Sequence, residues 1–193
     1  MDQFVALFKE DVEPQLIKYL KAGINDALVR AVKDENCKVE SVRVLMDAGA
    51  KPTEIHNAKY PFETVLWLII ESQRADILEL VLESKYRPNV ILSDIYHACR
   101  CGSPEILRVL KPYIIKYTVE GIPHMLCLGH VDKLRKSQMI KEAAKQDKID
   151  NIAFLLQEGL VDLFAIGMVL SDVKKGEYSL DSNVIQYLQK ISC

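Results

Sequence analysis

The stretch EAAKQDKIDNIAFLLQEGLVD, residues 142–162, contains the pattern that decides the fold. Ala143 and Ala144 lie in one short apolar segment, the letters IAFLL lie in a second, and the polar turn KQDK separates them. Apolar residues spaced three and four apart are typical of amphipathic helices. The stretch therefore predicts two short helices joined by a tight turn. Gly159 marks the end of the second helix, because glycine readily adopts the left-handed backbone that stops a helix.

The same pattern recurs upstream in three further segments. The positions of the alanine pair are taken there by Ala31 and Val32, by Ile69 and Ile70, and by Ala98 and Cys99. The segments around Ile69 and Ala143 align without a gap, whereas the one around Ala31 has extra residues in its turn. Self-similarity of this kind indicates a repeat protein, in which each unit buries its apolar side against the next.

Composition and charge describe a folded protein without a strong electrostatic preference. The chain has 193 residues, of which 49% are hydrophobic, and its net charge is only -2. Such a charge favours neither nucleic acid nor an anionic membrane as partner. The opening MDQFVALFKEDVEPQ has no basic lead, and no apolar run approaches the roughly 18 residues of a membrane span. Five cysteines, an odd number, suggest reduced thiols. We expect a cytoplasmic or nuclear protein.

The segments resemble the ankyrin repeat, a helix–turn–helix unit with an alanine-bearing inner helix and a leucine-bearing outer helix. The letters TVLW, from Thr64 to Trp67, stand at the position of the family's Thr-Pro-Leu-His, and Gly102 stands at its turn glycine. The exit residues of the family pattern correspond to Gly49, Ala50, Pro52 and Pro88. Small residues on the inner helix would let neighbouring units stack closely.

The resemblance implies an all-α protein, an ankyrin-like helix-turn-helix solenoid of about five or six repeats with an irregular segment near 111–136. We treat 1–193 as one repeat domain. Its approximate units are 2–25, 26–53, 60–89, 92–115, an irregular 116–136, 137–162 and 163–193.

The irregular segment has two interpretations. The alanine landmark jumps from Ala98 to Ala143, which an insertion would explain. Alternatively, Gly129 and His130 form the turn of a truncated extra unit, and 131–146 is then an outer helix. Either arrangement predicts a kink or break in the stack.

Motifs with a known chemical mechanism are missing from the sequence. It has no GxxxxGK phosphate loop, no GxGxxG, no GxSxG elbow and no HExxH zinc motif. The sequence therefore predicts no enzyme activity and no cofactor.

One cluster of metal-ligand types supports an alternative function, a small zinc-binding or redox module. Three histidines and three cysteines fall close together in the letters HACRC and HMLCLGH: His97, Cys99, Cys101, His124, Cys127 and His130. Zinc takes four nitrogen or sulfur ligands, so these residue types suit it. Cys99 and Cys101, however, point about 200° apart on a helix. The repeat pattern also places Cys99 at a buried, alanine-like position and His130 in a turn.

The resemblance implies a module that binds another protein through the concave face of its inner helices and loop tips. Carried over by position, the contact residues are Lys33 and Asp34, Glu71 and Ser72, Arg100 and Cys101, and Lys145 and Gln146. The loop HNAKYPFE adds Tyr60 and Phe62, aromatic groups of a kind that often anchors interfaces. We therefore expect a monomeric adaptor or inhibitor. Both a host regulator and a pathogen effector stay open, since ankyrin-like modules occur in eukaryotic cells and in the viruses and bacteria that enter them.

Overall fold

A computed structural model of the chain describes residues 23–52, 64–118 and 128–192. Over these ranges the secondary structure consists of ten α-helices without a β-strand, which confirms the all-α prediction there. None of the helices in these ranges is long and apolar enough to cross a membrane. The chain divides into two compact units, Met1–Asn89 and Val90–Cys193.

Unit 1 contains two helical hairpins in its described part. Their helices are α1 (Ile24–Lys33), α2 (Val39–Asp47), α3 (Val65–Glu71) and α4 (Ala75–Glu83). The first helices of the hairpins, α1 and α3, pack against each other, and so do the second helices, α2 and α4. Ala27 and Ala31 of α1 are fully buried. Their small side chains allow a close approach between helices, and apolar residues such as Ile69 of α3 fill the core beside them.

Unit 2 contains three helical hairpins in the part of it that the structure describes. Their helices are α5 (Leu92–Cys101), α6 (Pro104–Thr118), α7 (Leu128–Ala144), α8 (Ile149–Gln157), α9 (Leu163–Lys174) and α10 (Ser182–Ser192). The inner helices pack in series, α5 against α7 and α7 against α9, while the outer helix α6 packs against α8. Ile106, Leu110 and Leu155 of the outer helices are fully buried. Each such side chain contributes about 1.5–3 kcal/mol through burial.

Two of the inter-helix turns have the same backbone geometry. Gln73 and Asp147 adopt left-handed conformations, with φ of 59° and 54°. The following residue then donates its backbone N–H five residues back, Arg74 to the carbonyl of Ile69 at 3.3 Å and Lys148 to that of Ala143 at 3.0 Å. The gap-free alignment of these two segments in the sequence therefore corresponds to equivalent hydrogen bonds.

The turn between α5 and α6 differs from the other two. Gly102, at the equivalent position, has φ of -72° and is not left-handed. A Cβ atom there would lie 2.6 Å from the carbonyl oxygen of Ala98, which is closer than real Cβ contacts come. Glycine is therefore needed at this turn because the backbone approaches it closely.

Two side chains at or next to outer helices donate hydrogen bonds to the neighbouring hairpin. In unit 1 the Arg74 guanidinium donates to the Cys37 carbonyl at 2.9 Å, across the turn that precedes α2. In unit 2 the buried Asn151 amide donates to the carbonyls of Cys99 and Gly102 at 3.0 and 3.2 Å. Arg74 and Asn151 thus each satisfy carbonyl groups in the turn of the preceding hairpin.

The structure settles part of the irregular segment. Gly129 and His130 lie inside α7, so the prediction of a turn at these residues is wrong. A single glycine costs a helix only about 1 kcal/mol, and α7 packs against both α5 and α9. Because α7 packs against the inner helices α5 and α9, it is itself an inner helix, as the Ala143 landmark predicts. The alternative of an outer helix at 131–146 is therefore wrong. Residues 119–127 lie outside the described ranges.

Candidate interaction surface

Eight of the predicted contact residues lie where the inner helices end, two at each of four helices. Lys33 closes α1, Glu71 closes α3 and Arg100 is in the last turn of α5, while Lys145 directly follows α7. Lys33, Glu71 and Lys145 are exposed. Tyr60 and Phe62 lie outside the described residues. The unit between 2 and 25 also lies mostly outside them.

Two of the predicted contact residues in unit 1, Asp34 and Ser72, make hydrogen bonds to the nearby backbone. The carboxylate of Asp34 accepts a hydrogen bond from the backbone N–H of Asn36 at 3.0 Å, and the Ser72 hydroxyl donates to the Leu68 carbonyl. These contacts hold the ends of α1 and α3 in place. They leave Lys33 and Glu71 as the two more exposed members of the unit 1 set.

In unit 2 the structure brings Arg100 and Lys145 together around Glu142, a residue that the sequence analysis missed. The ammonium of Lys145 lies 3.0 Å from one Glu142 oxygen, and the Arg100 guanidinium lies 3.9 Å from the other. The Gln138 amide donates to the same carboxylate at 2.8 Å. We call Arg100, Gln138, Glu142 and Lys145 the inner-face cluster. It joins α5 to α7 and includes two of the predicted contact residues.

A buried histidine, His97, contacts Arg100 of the inner-face cluster. His97 is only 4% exposed, and its Nδ1 lies 3.2 Å from the Arg100 guanidinium. Because arginine has only donors, Nδ1 accepts this hydrogen bond. Burial, and secondly the positive charge of Arg100, lowers the pKa of His97 to about 4. At neutral pH the ring is therefore uncharged and helps to orient Arg100.

A second polar contact joins α7 to α9. The ammonium of Lys141 lies 2.7 Å from a carboxylate oxygen of Asp172 and 5.2 Å from the centre of the Tyr178 ring. The Tyr178 hydroxyl donates to the Val169 carbonyl at 3.1 Å. Burial, and secondly the charge of Asp172, raises the pKa of Tyr178. This side chain is therefore neutral at neutral pH and part of the packing.

The residues described here do not form the zinc site of the alternative hypothesis. Cys99 is fully buried, as predicted, and burial strongly raises the pKa of its thiol. A zinc ligand must be a thiolate, which this environment disfavours. Among the described residues there is no group of three or more histidine, cysteine or acidic side chains that could hold a metal. His124 and Cys127 lie outside those residues, as does the side chain of His130.

The chain matches no protein-family model, no curated protein and no solved structure. Its function must therefore be argued from its own residues.

Proposed function

We propose that the chain is a non-catalytic module that binds a partner protein through its inner helices and loop tips, as an adaptor or inhibitor. We further propose that its hairpins are ankyrin-like repeats, about five or six in number, in one solenoid. The serial packing of inner helix on inner helix within each unit supports this reading. So does the shared turn geometry at Gln73 and Asp147.

The observation that carries the proposal is the inner-face cluster. The repeat pattern assigns Arg100 and Lys145 as contact residues of the units 92–115 and 137–162, and both lie around the Glu142 carboxylate. Their two positive charges exceed the one negative charge of Glu142, so the cluster offers net positive charge and several donors. Arginine in particular is enriched at protein interfaces. This arrangement suits a partner segment with carboxylate or carbonyl acceptors.

The test is an affinity pull-down from lysate with the whole chain, comparing wild type with the double variant Arg100→Ala, Lys145→Ala. We expect the variant to keep the helical circular dichroism of the wild type and to lose the retained partner. Loss of two centrally placed charged contacts typically weakens binding by about tenfold or more.

A matched control removes two positive charges from the outer helix α6, in the variant Arg108→Ala, Lys116→Ala. Both residues are exposed, and the change in net charge is the same as in the first variant. The control should retain the partner. Equal retention by all three proteins would remove the inner-face cluster from the binding site.

A further inference from the structure

A separate surface in unit 2 has an unusual combination of groups. One side of α9 lines an open cavity of about 350 Å³ with Phe164, Gly167, Met168, Ser171, Asp172 and Lys175. Phe164 is 55% exposed, and its neighbour Leu163 is 56% exposed. We call Phe164, Gly167, Met168, Ser171 and Lys175 the α9 stripe. Their spacing of three and four places them on one side of the helix over about 16 Å.

The α9 stripe lies away from the packed side of its own helix. Ala165, Ile166 and Val169 are fully buried, and α9 packs against α7 and α10. Residues at these positions point about 100° or more away from the middle of the stripe. The exposure of Phe164 therefore arises because the other side of α9 already supplies the core.

Gly167 suggests that another molecule packs against the α9 stripe. It lies within α9, where glycine is less favourable than alanine. A Cβ atom on Gly167 would meet no other atom of the described residues within 4 Å, apart from the backbone of its own helix. The fold described here thus has no need of a glycine at this position. A helix that packs against this side of α9 would benefit from it, because small residues let two helix backbones approach closely.

A lysine side chain lies at each end of the α9 stripe. The Lys133 ammonium lies 4.4 Å from the centre of the Phe164 ring, at one end of the stripe. Lys175 lies at the other end, and its side chain is 62% exposed. The nearby carboxylates already pair with lysines of α7, Asp162 with Lys136 at 3.1 Å and Asp172 with Lys141 at 2.7 Å. Asp172 and Glu177 each approach the Lys175 ammonium only to 4.0 Å.

We propose that the α9 stripe is a docking site for an amphipathic helix of a partner protein, with an apolar side that covers Phe164, Gly167 and Met168 and acidic residues that meet Lys133 and Lys175. A second copy of this chain fits less well. Two stripes packed antiparallel would bring Lys175 of each copy toward Lys133 of the other, so that like charges would face each other. This site is distinct from the inner-face cluster, and neither proposal depends on the other.

The experiment uses the full chain and two labelled synthetic helical peptides, with binding followed by fluorescence anisotropy. Both peptides have leucines three and four positions apart, one with glutamate and the other with lysine at the flanking positions. We expect the glutamate peptide to bind, with an affinity that falls as salt is added, and the lysine peptide to bind at least tenfold more weakly.

Three variants locate the binding. Phe164→Ala should weaken binding of the glutamate peptide at least tenfold, whereas Ile91→Ala, which truncates another exposed apolar residue of unit 2, should leave it within about twofold. Gly167→Ala should weaken the same binding by about tenfold, because its methyl group would keep the backbone of the incoming helix from approaching α9 closely. It should also raise the Tm by a few degrees, because alanine is the better helix former.

The opposite directions of binding and stability make Gly167→Ala decisive. If it raises the Tm without changing affinity, the stripe is not the docking site. Failure of the glutamate peptide to bind, or equal binding of both peptides, also overturns the proposal. Concentration-dependent dimerisation of the wild type that Phe164→Ala abolishes would overturn it too, since a second copy would then be the occupant.

Discussion

Glu142 shows how a single residue organises the candidate binding surface. Its side chain is 12% exposed, so its charge is largely removed from water and requires compensation. Gln138 on the same helix, Lys145 directly after it and Arg100 on the neighbouring helix supply that compensation. The same contacts fix Arg100 and Lys145 in place before any partner arrives. Less conformational entropy is then lost on binding than with freely rotating side chains.

His97 makes the stability of the protein dependent on pH. Its pKa is about 4 in the folded chain, against about 6.5 for an exposed histidine. Between these values the unfolded chain binds a proton that the folded chain does not. The free energy of unfolding should therefore fall as pH falls from about 6.5 to about 4, by about 3 kcal/mol from this residue. Above pH 6.5 His97 should have no effect.

Urea unfolding measured across this pH range checks the prediction. His97→Gln keeps an acceptor for Arg100 but cannot take up a proton in this range, so its stability should fall less steeply than that of the wild type. If the free energy of unfolding falls equally with pH in both proteins, His97 is not the buried neutral group.

At the scale of elements, the outer helices α2 and α8 end as local preferences for glycine predict. Gly49 after α2 and Gly159 after α8 are both left-handed, with φ of 105° and 65°. Each helix is then closed by the same pair of backbone hydrogen bonds, which in α8 run from Gly159 to Leu156 and from Leu160 to Leu155. At the equivalent position after α4 the residue is Lys85, which is not left-handed, and α4 ends differently at Ser84.

Substitution of Asn151 tests whether the stability of the protein depends on side-chain hydrogen bonds between neighbouring hairpins. Its amide is 1% exposed and donates to the carbonyls of Cys99 and Gly102. Asn151→Ala should lower the free energy of unfolding by about 2–3 kcal/mol, because it leaves two carbonyl groups without this donor. The measurement is urea unfolding followed by circular dichroism.

Asp150→Ala provides the matched control, since Asp150 is exposed on the preceding position of the same helix. It should cost at most about 0.5–1 kcal/mol through the helix dipole. Equal losses in the two variants would mean that the Asn151 hydrogen bonds contribute nothing beyond helix formation.

At the scale of the whole molecule, the organisation of unit 2 is serial. α7 packs against both α5 and α9, whereas α10 packs mainly against α9. Stability in such an arrangement is distributed over hairpins and over the interfaces between neighbours. A disturbance at one end should therefore remain local.

Leu188→Ala tests this locality by native-state hydrogen exchange. Leu188 is a fully buried residue of α10, and its truncation should cost about 2–5 kcal/mol. We expect faster exchange in α9 and α10 while α5 and α6 keep the rates of the wild type. Gln189→Ala, at the exposed next position, should change little. Faster exchange by the same factor in every helix of unit 2 would indicate a single cooperative bundle.

The apolar spacing and the repeated alanine pair predicted helical hairpins and the burial of Ala143 and Cys99, because these depend on neighbours a few residues away. The contact positions carried over from the ankyrin-repeat resemblance included Arg100 and Lys145, which lie at the ends of α5 and α7 in the structure. The same reasoning failed at Gly129, where local turn preference competes with the packing of α7 against two other helices.

The sequence by itself determined the all-helical class and the alignment of the equivalent turns, since local backbone preferences and periodicity are sufficient for both. Only the tertiary structure decided that Glu142 lies between Arg100 and Lys145, that a Cβ at Gly102 would collide with the Ala98 carbonyl, and that one side of α9 stays exposed. These features depend on which helices come together and at what distance. The Arg100–Glu142 contact joins residues far apart in the chain, and the other two features depend on the path of one turn and on which side of α9 its neighbours cover, so periodicity does not predict them.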